Sequence, residues 1–243
     1  NKIHKCNIRG RIQKTVYPGD KVKFDNNIIE EVLKRNNLLH RPTIANVEQV
    51  VIVFSTIHPK IDRQLLDRFL ILIEAFNLEL FIVINKMDLC NEKEKLFDEL
   101  KDYEKAGYNL LYISAKKEKG LNEIYNLLKD KVNVLTGPSG VGKSTLINSL
   151  IEKANMTTKK VSKKLKRGVH TTRHVELIAL KNGGWLADTP GFSSLNITKI
   201  KSEKLKFLYP ELRDYLNKCK FNTYSNTHES DCTVKEAVEK GNI

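Results

Sequence analysis

A chain of 243 residues has room for one large domain or one domain with smaller appendages, and 40% hydrophobic with 29% charged residues fits a globular protein. Its apolar runs are strand-sized, which argues against a membrane-spanning helix, and four scattered cysteines argue against a disulfide scaffold and suit a reducing compartment. A formal charge of +13 favours a polyanionic partner, because clustered Lys and Arg displace counterions from a phosphate backbone; a genome biased toward Lys and Asn codons is the competing account.

Residues 1–40 read as short strands with turns. Ile8–Ile12, Lys21–Phe24 and Ile28–Val32 carry β-type runs, separated by Pro18-Gly19-Asp20 and Asp25-Asn26-Asn27, a pattern that suits a small barrel. From about residue 47 the chain alternates strands with amphipathic helices. Val50–Ser55 is an apolar strand, Leu65–Phe76 has helical periodicity, and Leu80–Ile84 is a strand. Glu92–Ala106 is helical, Leu110–Ile113 a strand and Leu121–Leu128 a helix. Val132–Leu135 is a strand with a helix over Lys143–Lys153 after it, and Trp185–Ala187 ends another strand. Alternation of this kind predicts an α/β fold, a parallel sheet covered by helices on both faces. Thr157–Arg167 lacks an apolar face and reads as a basic loop, either simply solvated or in contact with RNA. The tail holds a helical stretch near Ser202–Leu208, a polar Cys-containing segment and a helix near Val234–Glu239.

Three short motifs carry the chemistry, and each follows a predicted strand. Gly137-Pro138-Ser139-Gly140-Val141-Gly142-Lys143-Ser144 is a phosphate loop in spacing and in context. Its glycines let backbone N–H groups turn onto phosphates, and the helix start favours their charge. Lys143 is expected to reach the β- and γ-phosphates, and the Ser144 hydroxyl to ligate Mg²⁺, with Thr145 completing the contact run. Asn85-Lys86-Met87-Asp88 suits guanine, since the Asp88 carboxylate can accept from both N1–H and the 2-amino group, which adenine does not offer. Asn85 is placed to tie the loop together, and the stem of Lys86 to cover the ring. Ser114-Ala115-Lys116 stands after the next strand, where a backbone N–H would meet the guanine carbonyl.

Asp188-Thr189-Pro190-Gly191 places Asp188 to hold Mg²⁺ through water and the Gly191 N–H to sense a γ-phosphate. The next residue is Phe192, whose ring neither donates nor accepts the hydrogen bond that would orient an attacking water, so unaided hydrolysis is expected to be slow. Between the phosphate loop and this motif lies Gly168-Val169-His170-Thr171-Thr172. His170 is the candidate for positioning water, and either Thr171 or Thr172 would complete the Mg²⁺ shell.

In ordinary GTPases the phosphate loop comes first and the guanine-reading motif last. Here the guanine-reading motif precedes the phosphate loop, so the chain reads as a circularly permuted GTPase. It resembles the RsgA/YjeQ family of such enzymes over nearly its whole length: Arg9-Gly10 and Gly19-Asp20-Lys21-Val22, then Arg41-Pro42 with Ala45-Asn46-Val47, Leu65-Leu66-Asp67-Arg68, Gly168 through Thr172, and Glu229, Cys232, Val234-Lys235 and Ala237-Val238. The resemblance implies an OB-fold RNA-binding barrel over residues 1–40, a permuted GTPase domain over 41–200 and a small zinc-type module over 201–243. It further implies GTP and GDP as ligands, the small ribosomal subunit and its rRNA as partners, and a role in late maturation of that particle. A monomer is expected, without a membrane association, in a bacterial cytoplasm or an organelle with bacterial-type ribosomes.

The family's metal pattern, Cys-x4-Cys-x-His-x5-Cys, is broken. Counting from Cys219, the spacing reaches Cys232, but Tyr224 and Asn226 stand at the two middle ligands and His228 sits two positions away from the expected place. Cys219, His228 and Cys232 are the candidate Zn²⁺ ligands, short of a closed tetrahedral site, and a module that folds without metal is the other expectation. Arg173 also departs from the family's run of threonines. Two function classes follow: a ribosome-stimulated GTP hydrolase, or a GTP-dependent RNA-binding scaffold with little turnover.

Overall fold

A computed structural model describes residues 3–10, 12–40, 43–156, 176–188, 200–219, 226 and 231–241. Strands β1 (Asn7–Ile8), β2 (Val22–Asp25) and β3 (Ile28–Val32) form a small sheet in the order β1-β3-β2. Its hairpin is closed by Asn26 and Asn27, both at positive φ, the backbone a two-residue turn between right-twisted strands requires. The run expected over Ile8–Ile12 yields only β1, because the Ile12 N–H turns back to Arg9 O next to Gly10.

The short hairpin of β4 (Leu38–His40) and β5 (Thr43–Ala45) follows. It spans the expected boundary at residue 40, and Leu39 and Ile44 are buried in the core of the large sheet. The loop of Gly19 joins the first sheet to this entry. Ala45 N–H donates to Pro18 O, Asn46 Nδ2 donates to Gly19 O, and a Cβ on Gly19 would collide with Ala45 O. Arg35 holds the same turn by gripping the buried Asp20 carboxylate with Nε and an Nη at 2.7 and 2.8 Å.

The large sheet contains β6 (Gln49–Ser55), β7 (Glu79–Asn85), β8 (Asn109–Tyr112), β9 (Val132–Thr136), β10 (Glu176–Ala179) and β11 (Trp185–Asp188), ordered β10-β11-β9-β6-β7-β8. All its pairings are parallel except that of the edge strand β10 with β11. Every residue of β6 is buried, as expected of a continuous apolar run at the middle of a sheet covered on both sides.

Side-chain alternation sorts the helices onto the two faces. Val50, Ile52, Phe54, Ile82 and Ile84 share a core with α1 (Arg63–Glu74) and α2 (Lys93–Lys105), whereas Val51, Val53, Phe81 and Val83 share one with α3 (Leu121–Leu127) and α4 (Lys143–Met156). The Asp62 carboxylate caps α1 by accepting from Leu65 N, and Leu66, Phe69, Leu70 and Ile73 form its buried stripe. Tyr103 on α2 donates its hydroxyl to Asp67 on α1 at 2.7 Å. The layered α/β fold expected from sequence is therefore present.

The C-terminal module contains α5 (Ser202–Leu205), α6 (Arg213–Leu216) and α7 (Thr233–Glu239), with two short 3₁₀ turns between α5 and α6. It has its own core of Leu216, Cys232 and Val234, and Arg213 reaches Glu74 at the end of α1 at 2.6 Å. No described helix is long and apolar enough to cross a membrane.

Candidate nucleotide-binding site

Parallel strands bring their carboxyl ends to one edge, and the site is assembled there. Asn85 ends β7, Ser114 follows β8, Gly137 follows β9 and Asp188 ends β11. In the phosphate loop Gly137, Gly140 and Gly142 all adopt positive φ. The first and last have a packing reason as well. A Cβ at Gly137 would run into Val53 O, and one at Gly142 would lie 2.5 Å from Asn85 Nδ2. Lys143 folds back over the loop, donating from Nζ to Gly137 O and Pro138 O at 2.7 and 2.6 Å. Ser144 and Thr145 open α4 as exposed residues.

Asn85 is 2% exposed and joins two motifs. Its Nδ2 donates to Val141 O in the phosphate loop, and its Oδ1 accepts from the Ala115 N–H. Lys86, in the left-handed region at φ 63°, donates from Nζ to Ile57 O, His58 O and Gly140 O. The guanine-reading loop is thereby clamped to the phosphate loop and to the β6–α1 connection. The Met87 N–H donates to Ile113 O, and Ser149 on α4 donates to Ala115 O, so the loop after β8 is held from below.

Asp88 is positioned by Ser114, whose hydroxyl donates to Oδ1 at 2.5 Å while accepting from the Lys117 N–H. That hydrogen bond, helped by Lys117 and Lys116 nearby and opposed by some desolvation, holds the Asp88 carboxyl below its ordinary value of 3.8. It is ionised at neutral pH, the state able to accept two N–H groups from one base edge. Asn85, Lys86, Asp88, Lys116, Gly142 and Thr145 line a cavity of about 240 Å³ together with Ile57, His58 and Leu89. The sequence motifs gave no reason to include the Ile57–His58 loop. Its contribution comes mainly through backbone carbonyls, which any residue type supplies, so no residue pattern could have pointed to it.

Asp188 ends β11 beside β9, with Ala187 in register with Val134. His170, Thr171, Thr172, Gly191 and Phe192 lie outside the described residues, as do Tyr224 and His228. In the C-terminal module Asn226 Nδ2 donates to both Cys219 Sγ and Cys232 Sγ. Burial works against a Cys219 thiolate, but the hydrogen bonds it shares with the Thr233 hydroxyl, the Val234 and Thr233 N–H groups and Cys232 outweigh it and place this thiol below its ordinary value. Among the described residues, no group of three or more His, Cys, Asp or Glu side chains is arranged to hold a metal ion.

A sheet ordered as above, with a guanine-reading loop placed before the phosphate loop in sequence yet beside it in space, defines a circularly permuted GTPase. Solved structures agree. YjeQ from Thermotoga maritima superposes with a TM-score of 0.83 at 36% identity, covering 98% of this chain and 84% of that one. YloQ, described as a circularly permuted GTPase, gives 0.82 at 37% identity, covering 100% and 82%. The RsgA GTPase family model matches residues 32–198, and the chain belongs to that family. Proteins named small ribosomal subunit biogenesis GTPase RsgA from Clostridium botulinum and Clostridium perfringens are each 45% identical to it, over 99% of this chain and 85% and 86% of theirs.

Proposed function

We propose that this chain hydrolyses GTP to GDP and phosphate during late maturation of the small ribosomal subunit, and that the particle stimulates the reaction. The observation that carries this reading is the Asn85 junction, which joins a guanine-reading loop to a phosphate loop, in a chain 45% identical to GTPases named for small-subunit biogenesis. The +13 charge suits a partner made largely of rRNA. Residues 1–40, with their three-stranded sheet, and the C-terminal module, flanking a GTPase domain at 41–200, are the proposed RNA contacts of a monomer acting in a bacterial cytoplasm or an organelle with bacterial-type ribosomes.

The residues divide the work as follows. Asp88 accepts from the guanine N1–H and 2-amino groups, the loop of Ser114-Ala115-Lys116 offers a backbone N–H to the guanine carbonyl, and the phosphate-loop N–H groups from Ser139 to Thr145 wrap the phosphates. Lys143 exchanges its two carbonyl partners for phosphate oxygens, a stronger pairing for an ammonium. Ser144 at the start of α4 and Asp188 at the end of β11, with Thr171 or Thr172, are oxygen-bearing residues of the kind Mg²⁺ prefers and would hold it. Bound there, the ion neutralises charge on the β- and γ-phosphates. His170 positions the attacking water, and the Gly191 N–H faces the γ-phosphate.

Phe192 favours a second reading, a GTP-dependent scaffold with little turnover, since the usual position next to Gly191 carries no hydrogen-bonding side chain. GTP hydrolysis by the purified chain, alone and with bacterial-type small subunits, separates the two. Strong stimulation that His170→Ala abolishes supports the hydrolase. Nucleotide binding without stimulated turnover supports the scaffold.

A further inference from the structure

Two of the four ligands expected for a structural zinc are present, and a side-chain amide bridges them. Asn226 occupies the position of the family's histidine, and its Nδ2 lies 3.4 Å from Cys219 Sγ and 3.3 Å from Cys232 Sγ. Thr233 extends the link, standing 3.1 Å from Cys219 Sγ while its hydroxyl donates to Tyr215 O at 2.9 Å. Cys232, 2% exposed, packs beside Leu216 and Val234. These bonds join the end of α6 to Asn226 and to the start of α7.

Among the described residues the donor set does not fit zinc. A closed structural site needs four lone-pair ligands in a tetrahedron, and the group facing both sulfurs here is an N–H₂ donor. Rotated end for end, the amide would instead offer its oxygen to the two thiol hydrogens. Either orientation satisfies a thiol pair, and neither completes a metal shell. Asn226 Oδ1 is buried without a hydrogen-bond partner among the described residues, where the hydrogen bonds of this amide go to the two sulfurs.

We propose that an Asn226-bridged Cys219–Cys232 thiol pair replaces zinc in this chain, so that the C-terminal module folds and holds together free of metal. The apolar contacts of Leu216, Cys232 and Val234 supply the cohesion that a metal would otherwise contribute in so small a unit.

The test is the metal content of the full chain expressed with added zinc, measured by elemental analysis and by release on mercurial treatment. Fewer than about 0.1 equivalents per chain, with a melting curve indifferent to EDTA, is the expected result, and about one equivalent overturns the proposal. Asn226→Ala is expected to lower the melting temperature equally with and without zinc and to speed thiol-reagent labelling of Cys219 about tenfold. Unchanged stability and labelling would remove the amide from its bridging role. The double variant Tyr224→Cys, Asn226→His restores the four-ligand spacing and is expected to take up about one zinc. If it stays metal-free while folded, Asn226 does not stand in a ligand's place, and the proposal fails.

Discussion

Asn85 and Val141 are 56 positions apart in sequence, and the Asn85 side-chain amide donates to the Val141 carbonyl at 3.0 Å. The other end of the same side chain accepts from the Ala115 N–H, so one buried residue couples three nucleotide-contacting segments. Asn85→Ala would leave a carbonyl and an N–H unpaired in the interior. It is expected to cost about 2–4 kcal/mol in urea denaturation and to weaken GTP and GDP binding together. Unaltered affinity in a folded variant would show that the segments are aligned by their strands alone.

Base selectivity is expected to rest on Asp88. Asp88→Asn replaces a two-fold acceptor with one acceptor and one donor, and should weaken GTP binding about 10- to 100-fold, the worth of one charge-assisted hydrogen bond. Xanthosine triphosphate carries an oxygen where guanine has its amino group, so its affinity should rise in the same variant. Calorimetry with both nucleotides checks this.

Ser114 shifts the titration of that carboxylate downward. Its hydroxyl is the largest of the influences lowering the Asp88 pKa from 3.8, so Ser114→Ala should move the titration midpoint upward. The ionised form then disappears at a higher pH as acid is added. Carbon-detected NMR of labelled aspartate gives the midpoint directly, and coincident curves for the two proteins would contradict the assignment.

Acid stability is expected to depend on Asp20. Its burial opposes ionisation, but Arg35, the Tyr17 N–H and Lys14 more than compensate, leaving the folded-state pKa below 3.8. A depressed carboxylate pKa stabilises the fold above the unfolded-state value and loses that contribution as pH falls through the folded one. Asp20→Asn should therefore flatten the acid limb of the stability profile. Arg35→Ala, which leaves a part-buried carboxylate without its partner, should cost about 1–3 kcal/mol at neutral pH by chemical denaturation.

Gly137→Ala places a Cβ against Val53 O at φ 135°, a backbone region closed to L side chains. The phosphate loop must shift to relieve it. About 1–3 kcal/mol of destabilisation and loss of measurable nucleotide binding are expected, by thermal melts and equilibrium titration.

Much of this architecture was legible because its signals are local. The fully buried Gln49–Ser55 strand holds the apolar run Val50–Phe54 that marks it in sequence, and the guanine and phosphate loops follow predicted strands. The pairing of Glu176–Ala179 with β11 was not readable, since an antiparallel edge strand depends on a distant partner. Strands as short as Leu38–His40 carry too few residues to show a period. At the site, residue types predicted which side chains assemble but not the Lys86 clamp on Ile57 O and His58 O, because a carbonyl acceptor leaves no trace in the amino-acid code. The same limit hid the amide bridge at Asn226, where the sequence recorded only a lost ligand.

Trp185 is the only tryptophan in the chain, and it stands 43% exposed on β11, paired with Val132 and three residues ahead of Asp188. Its intrinsic emission therefore has a single origin, on the strand that feeds the γ-phosphate-sensing motif. That emission reports on the amino-terminal start of β11, at the end of the strand away from the nucleotide site, and a change in it on nucleotide exchange would mark a switch movement carried along the whole strand.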